Sequence, residues 1–330
     1  MVAALKKLTG GDVAGRFAAW WNGEDYSPEA DGETASDDAA KIASKAKKTK
    51  GKKKASKPEA VPDAGTKVSV RPKLSSTASR IAALEAIWGE GRFGPAGAEL
   101  YNRITANLPE GASGEERKFG VLNTDPAWVN QFVAELGSVP VIAEWRSSCA
   151  NRYHETHPDF DLITGDLDRP PFEPGSMDLI FSHDAFAYAD HKSGLAVRIH
   201  RSLAPGGQWI VLDTVRGSAT GNLAPAFASA WAEPQLCNPD EIQEICESVG
   251  FEVAREEEDV TGDVVQACKT SLDRFAAELE SRMADKLPAV NKIAFMQELG
   301  WETESWKWRQ RAYAGDLIHA RIWKFRKPEA

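Results

Sequence analysis

Cysteine is scarce in this 330-residue sequence, and the four present, Cys149, Cys237, Cys246 and Cys268, lie far apart. None forms a CxxC pair, so neither a zinc knuckle nor a disulfide framework is suggested, and reduced, mostly buried thiols are expected. Histidine is also sparse. His154, His157, His191, His200 and His319 make no metal triad, so no metal is expected. An excess of basic charge is missing too: 40 Lys and Arg stand against 49 Asp and Glu, for a net charge of -9. That balance argues against a general nucleic-acid binder, because neutralising phosphates needs a basic face. No run approaches the roughly 18 apolar residues that span a bilayer. The opening residues lead into Thr9-Gly10-Gly11-Asp12 rather than an apolar core with a cleavage site, so no signal peptide is expected and the cytoplasm is the default location.

What is present divides into three parts. Residues 1–26 end in an aromatic cluster, Phe17, Trp20, Trp21 and Tyr26, too short to bury itself. Residues 27–76 are low in complexity. An acidic part holds Glu29, Asp31, Glu33, Asp37 and Asp38, and a basic part carries Lys45, Lys47, Lys48, Lys50, Lys52, Lys53, Lys54 and Lys57. Large apolar side chains are nearly absent there, so burial cannot offset the entropy of ordering, and a disordered tether is expected. The lysines could reach an anionic membrane or nucleic acid. A solvated linker of balanced charge is the preferred reading.

From residue 77 the pattern becomes helices alternating with short apolar runs. Ile81, Leu84, Ile87 and Trp88 share one helix face, and Leu100, Ile104 and Leu108 another. Runs at 119–122, 139–143, 161–164, 177–182, 208–212 and 251–254 read as buried strands, with a last strand at 317–325 containing Trp323 and with Tyr313 beside it. A helical insertion, two or three helices, is expected over 264–311. This rhythm implies a largely parallel sheet with helices on both faces.

Certain words in this stretch are specific in combination. They are Trp88-Gly89-Glu90-Gly91 leading to Gly94-Pro95, Gly165-Asp166-Leu167, Gly175-Ser176-Met177-Asp178-Leu179-Ile180-Phe181, Arg201-Ser202-Leu203-Ala204-Pro205-Gly206-Gly207, and Asn238-Pro239-Asp240 followed by Val249-Gly250-Phe251. Taken in order, they resemble the class I S-adenosylmethionine-dependent methyltransferases. The resemblance implies an α/β, doubly wound, Rossmann-like seven-stranded sheet over residues 77–330, with the 264–311 insertion as a lid.

The resemblance also implies where a methyl donor would lie: over a glycine-rich turn after the first strand, with an acidic residue at its start. Here that segment reads Asn123-Thr124-Asp125-Pro126-Ala127-Trp128-Val129. Asn123 holds the acidic position, and Asp125, Ala127 and Val129 hold positions where glycine is expected. Pro126 has no N–H, and Trp128 is expected to add bulk. The same residues suit an ordinary helix start, with Asp125 as N-cap, Pro126 in the first turn and Phe132, Val133 and Leu136 on the buried face. The resemblance further implies that Glu144 meets the donor's ribose, that Asp166 meets its adenine, and that His183 and Asp184 lie beside the transferred methyl group. The unperturbed pKa of histidine, near 6.5, suits His183 to proton abstraction.

Two functions follow as expectations. One is a degenerate, non-catalytic scaffold or regulatory module with no cofactor, meeting a protein partner or a second copy through Phe17, Trp20, Trp21 and Tyr26. The other is an active methyltransferase that uses S-adenosylmethionine despite its divergent loop and acts on a small-molecule acceptor.

Overall fold

The computed structural model describes residues 76–109, 117–224, 234–284 and 292–329. The aromatic cluster of Phe17, Trp20, Trp21 and Tyr26 and the lysine-rich stretch lie outside the described residues. The described part begins with helices α1 (Ser76–Trp88) and α2 (Ala98–Thr105) and then alternates. β1 (Phe119–Leu122), α3 (Pro126–Leu136), β2 (Val141–Glu144), α4 (Ser147–Thr156) and β3 (Asp161–Thr164) build one half. β4 (Met177–His183), α5 (Ala185–Tyr188), α6 (Lys192–Ser202), β5 (Leu203–Arg216), α7 (Pro239–Ser248) and β6 (Glu252–Asp259) build the other. Two long helices, α8 (Thr261–Ala284) and α9 (Lys292–Ala314), precede the closing strand β7 (Ile318–Arg326).

The seven strands lie in the order β3-β2-β1-β4-β5-β7-β6, with β7 antiparallel to both neighbours and the other pairings parallel. Side chains alternate between the two faces, as the two-residue period of a strand requires. Ile210 and Leu212 enter the core beneath α1, α3, α4, α8 and α9, while Trp209 and Val211 enter the one beneath α5, α6 and α7. β5 runs well beyond the expected 208–212 because its antiparallel ladder with β7 continues from Gln208 opposite Arg326 to Arg216 opposite Ile318. Gly206, in the left-handed region at φ +75°, bends the start of that strand, and Gly250 at φ +99° ends the turn after α7.

One expectation about the fold needs correction. Tyr313 does not stand beside Trp323 in the sheet. It lies in the last turn of α9, because the helix continues through Ala314 and breaks only at Gly315 and the left-handed Asp316. The 264–311 insertion consists of α8 and α9, with residues 285–291 between them outside the described part.

Candidate ligand cleft

The sheet order reverses between β1 and β4, and the carboxyl ends of those strands frame the crevice where such sheets hold ligands. The residues that follow them, Asn123 and Asp184, both take left-handed backbone, at φ 57° and 50°. Asparagine and aspartate enter that region at lower cost than other residues with a Cβ. The Asn123 amide is used at both ends: its Nδ2 donates to the His183 carbonyl at 2.7 Å, and its Oδ1 accepts from the Trp145 indole at 2.8 Å. The position where an acid was expected thus ties three strand ends together.

The loop after Asn123 is closed on itself. Asp125 caps α3 as expected, its Oδ1 accepting from the Trp128 N–H at 2.9 Å. Its Oδ2 accepts from the Phe93 N–H at 3.2 Å, which straps the Gly89–Pro95 turn onto the helix start. Burial pushes the Asp125 carboxyl up from the usual 3.8, against the N–H donors and Arg92. Pro126 has no N–H, and the Ala127 N–H is taken by the Gly91 carbonyl at 3.0 Å. Gly91, at φ +68°, lies so close that an added Cβ would come within 3.4 Å of Pro126.

Trp128 does not intrude on the cleft. It lies one helical turn before Phe132 and so shares its buried face, stacked on that ring with centroids 6.1 Å apart. The bulk assigned to it at the donor position belongs to the core.

The other expected residues fall in different places. Glu144 ends β2 buried, and its carboxylate is engaged from within the chain. Oε1 accepts from the Arg146 N–H and Nε, and Oε2 from its Nη2, each at 2.8 Å. Asp166 is exposed, accepts from the Asp168 N–H at 3.0 Å, and is not among the residues lining the cleft. His183 lines the cleft half-buried. Asp184 lines it as well, its Oδ1 accepting from the Thr214 N–H at 2.9 Å and hydroxyl at 2.8 Å. So Asn123, Asp125, Glu144's partner Arg146, His183 and Asp184 meet in one place, while Ala127 and Asp166 stay outside it.

The far wall comes from the two long helices, where a lid was expected, but Glu302 was not singled out from the sequence. Glu302 is buried on α9 and accepts from Arg80 Nη2 at 2.6 Å and from the indoles of Trp88 and Trp306 at 2.9 Å each. Arg309 donates to the Tyr188 hydroxyl at 3.0 Å. The visible signal was Glu302 four residues before Trp306, a spacing that brings helical side chains together. Of the tryptophans on α9, Trp306 faces the cleft and Trp301 is exposed. Between these walls the cavity measures about 70 Å³.

The methyltransferase domain family matches residues 126–211. Sterol 24-C-methyltransferase erg6 of Schizosaccharomyces pombe is 24% identical over 159 residues, which cover 42% of this chain and 42% of that protein. A phosphoethanolamine N-methyltransferase 2 of Haemonchus contortus, solved with phosphomonomethylethanolamine and S-adenosylhomocysteine, superposes with a TM-score of 0.62 at 22% identity. That alignment covers 77% of this chain and 58% of the other. The chain is thus similar to methyltransferases in sequence over part of its length and shares their fold. The [4+2]-cyclase SpnF also shares the fold, with a TM-score of 0.56 at 16% identity over 76% of this chain and 94% of that one. The chain thus spans less than two thirds of the length of the sterol and phosphoethanolamine enzymes it matches.

In a methyltransferase domain this cleft would receive S-adenosylmethionine, and here it is narrow and internally bonded. A pocket for a ligand of that size measures roughly 300 Å³ or more, against about 70 Å³ here. Each backbone N–H in the first turn of α3 is absent or internally paired, and the Glu144 carboxylate already holds a guanidinium. Among the described residues no group of His, Cys, Asp and Glu is placed to hold a metal ion, and no helix is long and apolar enough to cross a membrane.

Proposed function

We propose that this methyltransferase-fold protein, related to small-molecule methyltransferases, acts as a non-catalytic scaffold or regulatory module. The observation that carries the reading is the closed first turn of α3. Pro126 has no N–H to give, Ala127 gives its own to Gly91, and Trp128 gives its own to Asp125. A helix start with no free N–H has little to offer an incoming ligand, since those groups and the helix dipole are what bind there. The aromatic cluster Phe17, Trp20, Trp21 and Tyr26 supports a role in interaction, because tryptophan and tyrosine are favoured at interfaces.

Calorimetric titration of the full chain with S-adenosylmethionine and S-adenosylhomocysteine tests the reading. No heat of binding at millimolar ligand is the expected result, and micromolar binding overturns it. The interaction role is checked by deleting residues 1–26. A variant with the same oligomeric state and the same captured partners as the full chain counts against it.

A second reading is an active S-adenosylmethionine-dependent methyltransferase with a divergent loop and a small-molecule acceptor. The comparisons weigh for it, since the sterol and phosphoethanolamine relatives are both named as methyltransferases. The retained Glu144 and Asp166 weigh the same way. Under this reading Glu144→Ala and Asp166→Ala each weaken donor binding, and unchanged affinity in both sinks it. The [4+2]-cyclase in the same fold shows why fold alone does not decide between the two.

A further inference from the structure

We propose that Arg146 is the specificity-determining residue of the cleft: its guanidinium occupies the Glu144 carboxylate where the two hydroxyls of a ribose would pair, and so excludes nucleosides. The inference rests on the reading that the wild-type cleft does not hold the donor, and it names the group responsible.

The geometry is that of a self-supplied ligand. Arg146 meets both Glu144 oxygens through Nε and Nη2 at 2.8 Å, a two-pronged match of the kind a vicinal diol makes with its two O–H donors. Its backbone N–H adds a third bond to Oε1 at 2.8 Å, so residue and carboxylate, two positions apart, form a closed chelate. Nη2 also donates to the Thr124 carbonyl at 2.9 Å, which pins the end of β2 to the rewritten loop after β1. The guanidinium carbon lies 5.7 Å from the centre of the Phe93 ring, in the strapped turn. Both side chains are buried, 8% exposed for Arg146 and 0% for Glu144.

A neutral diol cannot displace a buried cation from this site. Charge-assisted hydrogen bonds are stronger than neutral ones, and a diol entering would leave the guanidinium buried without its anion. Removing the guanidinium reverses the situation. Glu144 is then a buried carboxylate without its cation, and the space vacated opens on the cavity that Arg146 lines. A nucleoside that brings a cis-diol supplies the missing donors.

The test compares the full-length wild type with Arg146→Ala and Arg146→Gln, each first checked for a cooperative thermal transition. Each protein is titrated with S-adenosylhomocysteine, adenosine and 2′,3′-dideoxyadenosine. The expected result is that a folded variant binds S-adenosylhomocysteine and adenosine at least tenfold more tightly than wild type does. Dideoxyadenosine should bind at least tenfold more weakly than adenosine, and methylguanidinium should compete with adenosine for the alanine variant. The glutamine variant keeps most of the side-chain volume and covers the case in which the alanine variant does not fold.

The inference is overturned if folded variants gain no affinity, or if they bind dideoxyadenosine as well as adenosine. Wild-type binding is a separate matter. If wild type binds S-adenosylhomocysteine and the variants bind it tenfold better, the scaffold reading falls while the role of Arg146 stands. If wild type and variants bind it equally, both fall.

Discussion

Asp213 lies beside Asp184 on the neighbouring strand, one residue past the His183–Leu212 pairing of β4 and β5, and the charge on Asp184 resists ionisation of Asp213. Burial is the larger cause, and together they hold the Asp213 carboxyl well above its usual 3.8, against the Phe186 and Ala187 N–H groups that donate to it at 2.7 and 2.9 Å. A carboxyl with a raised pKa keeps a proton in the folded state that the unfolded chain has released. The folded state then binds more protons, so stability falls as pH rises. The contribution of Asp213 is therefore full below pH 3.8 and is lost as pH climbs through its raised value. Urea unfolding midpoints measured from acid to neutral pH should decline less in Asp213→Asn than in wild type. Parallel curves would show that Asp213 does not carry the effect.

Glu302 should be the costliest buried acid to remove. Glu302→Ala takes the nearer of two carboxylate partners from a buried Arg80, leaving Glu298 at 3.7 Å, and removes the acceptor of the Trp88 and Trp306 indoles. Breaking a buried ion pair from one side costs about 3–5 kcal/mol. Glu302→Gln keeps one acceptor and should cost less. Chemical denaturation of the two variants checks both the size and the order, and equal, small losses would contradict the assignment.

Asp125 holds two separate segments, so its loss should be visible in two places. Removing an N-cap costs about 1–2 kcal/mol. Because Oδ2 also holds the Phe93 N–H, Asp125→Ala should speed amide hydrogen exchange at Phe93 as well as at Trp128. Faster exchange at Trp128 alone would mean that the turn before α2 is held by other contacts.

Gly120 on β1 has no room for a side chain. An added Cβ would stand 2.8 and 2.9 Å from two ring atoms of Phe172. Overpacking of this kind costs about 1–3 kcal/mol, so Gly120→Ala should lower the thermal midpoint. Combining it with Phe172→Leu should return part of the loss, and a purely additive double variant would argue against a direct clash.

Much of the fold was legible because the turns announce themselves. Gly206 and Gly250 sit at left-handed positions that few other residues adopt, and the apolar runs between them have strand length. The Asp125-Pro126 pair likewise marked the start of α3 correctly. The cleft was less readable for two physical reasons. Whether Glu144 faces solvent, a ligand or Arg146 depends on how the loop after β2 turns, and nothing local in Glu144-Trp145-Arg146 fixes that. Glu302 and Tyr313 sit on a helix with charged residues on most sides, so periodicity does not tell which ones the sheet buries. Trp128 could have been placed: its spacing to Phe132 puts both on one helix face, and the resemblance to a ligand loop drew attention from that simpler pattern.

The Glu302 hub joins the first described helix to the last, since Arg80 and Trp88 belong to α1 and Trp306 to α9. The first described helix is therefore bound to a wall of the cleft, through the same carboxylate that holds Trp306.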